Sequence, residues 1–188
     1  MSACEVTSTL LSCEEALLVA EPFFLAVKEK FVAWEKGTYG SSRTRRVRLE
    51  CDSVLHLEEG CIGGEPAFRH FAACSEDGDL IVMAPELVEL PESTLLGIMT
   101  HEFGHALDFG RPAHFGFDGE RVVMQDPAKM SDRRRVAAMR WWRDRGPDVV
   151  EQMADRIAEV VTGRTIGYTG PCMLQTIGGK VRRPAALR

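Results

Sequence analysis

No stretch of this 188-residue chain reads as a membrane span or a secretory leader. The N-terminus lacks a basic start, and Glu14, Glu15 and Glu21 break up the apolar residues around them. The expectation is a cytoplasmic protein with no membrane partner. The six cysteines, at 4, 13, 51, 61, 74 and 172, form no C-x-x-C pair and no zinc-finger spacing. Without a leader they read as thiols rather than bridges, although their even number leaves disulfides open to a protein exported by another route. Excess charge is missing too: a net charge of −5 offers no general attraction for nucleic acid. There is no internal repeat, low-complexity stretch or interdomain linker. Residues 1–188 are therefore expected to form one domain, with 1–12 and 180–188 as flexible ends. Apolar residues, at 45%, are plentiful enough at this length for a core.

Within that ordinary composition stands one motif, His101-Glu102-Phe103-Gly104-His105. An H-E-x-x-H pattern has chemical meaning only on a helix, where residues four apart lie one above the other and two imidazoles can grip one metal ion. The surroundings predict such a helix over 91–109. Pro91 suits a first helical position, the run Leu95 to Phe109 has no proline, and Gly110 stands where a glycine cap belongs. Leu96, Met99, Phe103 and Leu107 form its apolar stripe, while His101, Gly104, His105 and Asp108 share another face.

A catalytic zinc site needs a third protein ligand and one open position. Asp108 is nearest, but a straight helix spreads positions 101, 105 and 108 along its axis, so they converge poorly on one ion. A third histidine six residues after His105, reached through a glycine, is also excluded: Arg111 and Asp108 occupy those two positions. A second helix is predicted over Asp148 to Thr162, from the stripe Val150, Met153, Ala154, Ile157, Ala158 and Val161, with Gly163 at its end. On its flank lie Glu151 and Asp155, four apart. Taken without the histidines they would be an ordinary solvated face. Beside them, one carboxylate can complete the metal site and the other can accept the free ring N–H of a ligating histidine.

His101-Glu102-Phe103-Gly104-His105 followed by Glu151-Gln152-Met153-Ala154-Asp155 resembles the gluzincins, zinc metallopeptidases that pair H-E-x-x-H with a later E-x-x-(A/S)-D helix. The resemblance implies one Zn2+ per chain on His101, His105 and Glu151, Glu102 as general base, and Asp155 orienting a histidine, His101. It implies an α+β, zincin-like fold: a small, mostly antiparallel sheet packed on helices, with the active-site helix and a second ligand helix. It also implies an edge strand that pairs with extended substrate, and Ile81, Val82, Met83 and Ala84 are the candidates. The expected activity is hydrolysis of a peptide bond in a protein or peptide. The alternative is a zinc-bound, proteolytically inactive regulatory or interaction module. Tyr168, His114 and Arg164 are candidates for steadying the oxyanion, Tyr168 first because it follows the ligand helix closely. Cys172 is within sequence reach as an inhibitory thiolate, against the plainer reading of an idle thiol.

The remaining segments read as scaffold. Ser12 and Glu15 form a capping box opening a helix over Cys13 to Lys36, with Leu17, Phe24 and Phe31 seven apart and Pro22 as a kink or restart. That helix is expected to back the sheet. Arg45 to Cys51 alternates as a half-exposed strand, and Phe68 to Cys74 and Leu80 to Ala84 flank the turn Ser75–Asp79. Ser131 to Arg145 reads as an arginine-rich helix carrying Trp141 and Trp142. Its charges spread over more than one face, which favours a solvated helix anchored by tryptophan over a nucleic-acid site.

Overall fold

A capping box forms at Ser12: its hydroxyl accepts from the Glu15 amide, and the Glu15 carboxylate accepts from the Ser12 amide at 2.9 Å. These bonds open α1, Cys13–Tyr39, in a computed structural model that describes residues 11–52, 61–62, 65–66, 71–119 and 121–164. α1 runs unbroken through Pro22 and three residues beyond its expected end, to Gly40 in the left-handed conformation at φ +72°. The carbonyl that Pro22 cannot bond belongs to Leu18, on the exposed side of α1, where the missing hydrogen bond does not interrupt the helix.

The inner face of α1 carries Ala16, Ala20, Phe24, Val27 and Phe31, all buried. Phe24 and Phe31 hold Phe103 between them, with ring centroids 5.2 and 5.4 Å away. Phe103 belongs to α2, Glu92–Gly110, so α1 backs the motif helix as well as the sheet. Gly110 is the last helical residue rather than a left-handed cap, which corrects the expectation. The end of α2 is closed by side chains instead: Arg43 Nη1 donates to the Gly110 carbonyl at 2.9 Å, and Arg111 Nε donates to Glu35 at 2.5 Å. Burial opposes ionisation of Glu35, but hydrogen bonds from Ser42 and Thr44 outweigh it and hold its pKa below the ordinary value.

The main sheet has the order β1-β5-β4, with β1 Arg48–Cys51, β4 Ala72–Cys74 and β5 Leu80–Met83. β1 runs parallel to β5, and β4 antiparallel to it. Two short antiparallel pairs accompany it, β2 Cys61–Ile62 with β3 Glu65–Pro66, and β6 Phe115–Asp118 with β7 Arg121–Met124. The molecule is thus α+β with small, mostly antiparallel sheets. β1 starts later than expected because Thr44–Arg46 form a 3-10 turn, drawn to Glu35 by the Thr44 amide at 2.9 Å. Gly78, at φ +68°, turns β4 into β5 where a side chain would strike the backbone of α2 at Ala106.

Two expectations are corrected. β5 offers no free edge: Ile81 pairs with Leu49 on one side and Cys74 on the other, and Val82 and Met83 are likewise paired on both sides. The Ala84 amide donates to the Phe71 carbonyl. Its place just before the motif helix made β5 look like a strand near the site, but a continuous apolar run suits a central strand. The thiol reading fails for Cys13 and Cys51, which form a disulfide with Cα atoms 5.4 Å apart. Packing the start of α1 against the end of β1 brings together residues 38 apart in sequence, a closeness that spacing could not reveal. The cysteines therefore no longer argue for a reducing compartment.

α3, Asp132–Asp144, and α4, Pro147–Thr162, complete the described elements. No helix among the described residues is long and apolar enough to cross a membrane. Tyr168, Cys172, the tail 180–188 and residues 68–70 of an expected strand lie outside the described residues.

Candidate metal centre

α2 is buried on nearly every side from Ile98 to Asp108. The stripe of Leu96, Met99, Phe103 and Leu107 faces the core, fully buried except at Leu96, which is partly buried at its edge. The opposite face, carrying His101, Gly104, His105 and Asp108, is covered by α4, and these two helices share the most extensive contact of any pair. Gly104 makes the approach possible. A methyl group built there would overlap the Ala154 carbonyl and lie 3.0 Å from the Ala154 Cα. With no side chain at Gly104, the backbone of α4 can press against α2.

That approach brings the named residues together. Asp155 Oδ1 lies 2.7 Å from His101 Nδ1, fixing the ring so that Nε2 points the other way. His101 Nε2 lies 3.0 Å from Glu151 Oε2 and 3.0 Å from His105 Nε2, and His105 Nε2 lies 3.4 Å from Glu151 Oε1. Two imidazole nitrogens and a carboxylate thus converge in one small triangle. Tetrahedral coordination with bonds of about 2.0–2.2 Å places neighbouring ligand atoms roughly 3.3–3.6 Å apart, so the spacing fits a small cation with slight expansion. Among the described residues, His101, His105 and Glu151 are the group that could hold a metal ion.

The electrostatics agree with the geometry. Burial works against a charged His101, but the carboxylates of Asp155 and Glu151, with Glu102 nearby, outweigh it and raise the ring to about 9. Glu151 moves the opposite way: burial would raise it, and the two histidines lower it well below the ordinary carboxylate range. Positive charge is thus favoured inside the triangle, as a proton or as a metal ion that replaces it. His105 Nδ1 is buried with no hydrogen-bond partner among the described residues, so the two rings are oriented differently, His101 by a carboxylate and His105 by stacking on Phe109 at 5.4 Å. Glu102, one residue round the helix, is 3% exposed. Its charge, after burial, helps raise the free thiol of Cys74 on β4, which stays protonated and poorly suited to bind metal.

Two of the oxyanion candidates, His114 and Arg164, are not gathered here. His114 packs edge-on against Tyr39 beyond the end of α2, with ring centroids 5.2 Å apart. Arg164 is exposed past the cap of α4, roughly 20 Å along the axis from Glu151 at 1.5 Å per residue.

Asp108, set aside as a ligand on geometry, is engaged elsewhere. It is fully buried, accepts from Trp142 Nε1 at 3.0 Å, and pairs through its other oxygen with Arg145 Nη2. Burial pushes its carboxyl up, against the opposing pull of Arg145 and Trp142. Sequence reasoning missed this pairing and the task of Gly104. The available signal was Asp108 lying seven residues after His101 on the same face, where whatever covers the histidines must also cover a carboxylate. Comparison with family models, characterised proteins and solved structures returned no match, leaving the geometry of the cluster as the ground for a functional reading.

Proposed function

We propose that this chain is a zinc-dependent metallopeptidase of gluzincin type, on a zincin-like fold, hydrolysing peptide bonds in a protein or peptide. The observation that carries the reading is the triangle of His101 Nε2, His105 Nε2 and Glu151, with Glu102 beside it on α2. His101, His105 and Glu151 would hold the zinc, leaving a fourth position for water. Bound zinc supplies Lewis acidity, bringing the pKa of its water near 7 and polarising the scissile carbonyl.

The side chains supply the rest. Glu102 accepts a proton from the water as the water oxygen bonds to the carbonyl carbon. It delivers that proton to the leaving nitrogen as the C–N bond breaks. Asp155 holds the His101 ring through Nδ1, so that Nε2 faces the ion as a neutral ligand. Glu151 is half-exposed while the histidines beside it are buried, so substrate would approach the triangle past Glu151.

The purified protein should contain one zinc per chain by elemental analysis, and Glu151→Ala should lose it. Glu102→Gln should keep the zinc while cleavage of a peptide library falls about 10²–10⁴-fold. Unchanged zinc and unchanged biological effect in Glu102→Gln would replace the enzyme with the zinc-bound interaction module. Undiminished zinc in Glu151→Ala would overturn the ligand assignment.

A further inference from the structure

The contacts of α2 with α4, and with Arg145 just before its cap, run in one antiparallel register: His101 with Asp155, Gly104 with Ala154, His105 with Glu151 and Asp108 with Arg145. Most of this pattern repeats four residues further along α4. Ala158 follows Ala154, so a slipped α4 could set another small residue on Gly104. Asp155 and Glu159 follow Glu151 and Asp155, so the slipped helix would still offer two carboxylates to the histidines. The apolar stripe is equally tolerant, with Ile157 replacing Met153 and Val161 replacing Ile157. Sliding by one turn, about 6 Å for four residues, therefore preserves the stripe at two positions, the fit at Gly104 and the charge type, and its packing cost falls where Thr162 would replace buried Ala158.

One contact has no counterpart in the slipped register. Four residues after Arg145 comes Val149, which cannot bond a buried carboxylate. Arg145 is the last residue before Gly146, the cap from which α4 begins, and its side chain is 97% buried by its 3% exposure. Its guanidinium also lies over Trp142, 4.9 Å from the ring centroid, and Trp142 bonds the other Asp108 oxygen. A slip would leave the fully buried Asp108 carboxylate without its cation, a heavier penalty than any packing mismatch along the stripe.

We propose that Asp108, Trp142 and Arg145 form a register lock, positioning residues that decide which carboxylate pair of α4 reaches the histidines. The lock selects Glu151 and Asp155 over Asp155 and Glu159. It rests on the reading of the triangle as a metal centre for its consequence on zinc, but not for its consequence on helix register.

Two measurements test it. In the metal-free protein, NMR contacts from the Gly104 Hα should run to the Ala154 methyl in wild type and to the Ala158 methyl in Arg145→Met. In zinc titrations, Arg145→Met should bind 10–100-fold more weakly. Glu151→Ala, severe in wild type, should cost at least tenfold less in the Arg145→Met background, where Glu159→Gln should become harmful. An apolar pair, Asp108→Leu with Arg145→Met, guards against misfolding. It should restore thermal stability while zinc binding stays weak. Equal cost of Glu151→Ala in both backgrounds, with contacts from Gly104 still to Ala154, would overturn the lock. A wild type that binds no zinc would remove the metal reading and leave the NMR result to judge the register.

Discussion

α3 and α4 follow each other with only Arg145 and Gly146 between them, yet they sit in the molecule on opposite terms. α4 buries Met153, Ala154, Asp155, Ile157 and Ala158 against α2. α3 buries none of its residues, and Val136, Met139 and Trp141 stand exposed among its arginines. α4 is held by a continuous face, whereas α3 is held at its C-terminal turn by Trp142 and at its side by Trp141, which meets Phe117 edge-on. The difference shows two ways of placing a helix. An apolar stripe fixes which face turns inward but leaves axial position degenerate, while a directional polar bond fixes position with little area.

The comparison breaks most sharply at Gly104. Gly104→Val places a branched side chain where the α4 backbone already lies, and the neighbour that must yield is a carbonyl rather than a flexible tip. Overpacking of this kind should lower the stability of the metal-free protein by more than about 3 kcal/mol and abolish zinc binding. At Gly146, the N-cap of α4, an added methyl meets nothing within 4 Å, so Gly146→Ala should cost only the weaker cap, about 1 kcal/mol or less, and leave zinc binding nearly unchanged. Thermal melts of the two variants against wild type measure the contrast. Similar melting temperatures for Gly104→Val and wild type would mean that α4 does not depend on close approach to α2.

Zinc should sharpen the comparison at an intermediate scale. Binding to the folded state alone adds about 2.7 kcal/mol at a hundred times the dissociation constant. Because the ligands belong to α2 and α4, amide exchange should slow there on adding zinc, while the first turns of α3 continue as before. Equal slowing in all three helices would show that α3 is coupled to the site more firmly than its few bonds suggest.

These contrasts also mark how far the sequence was readable. α2 and α4 were legible to within a residue or two because proline, glycine and apolar spacing all point the same way. The site followed from the histidines and from the carboxylates four apart on α4. Three things were not legible. The central place of β5 depends on which strands flank it, and a strand's own residues look alike with one neighbour or two. The Cys13–Cys51 bridge and the Glu35–Arg111 pair join segments whose nearness is a product of topology. The partner of Asp108 lay in the arginine-rich segment, where charge pattern suggested solvent, and only one of those arginines turns inward.

That last point yields the smallest effect and a clear separation between α3 and the residue that caps it. Arg133 and Arg134 lie exposed on α3, with no ion pair among the described residues, while Arg145 is buried against Asp108. Truncating both to alanine removes solvated charge and leaves helix propensity almost unchanged, so stability should move by less than about 0.5 kcal/mol. Zinc affinity should stay at the wild-type value, because neither residue reaches α2 or α4. Chemical denaturation and a zinc titration of the Arg133→Ala, Arg134→Ala variant suffice to check this. A clear loss of either quantity would mean that the outer face of α3 supports the site, and that burial is the wrong guide to which of its arginines matter.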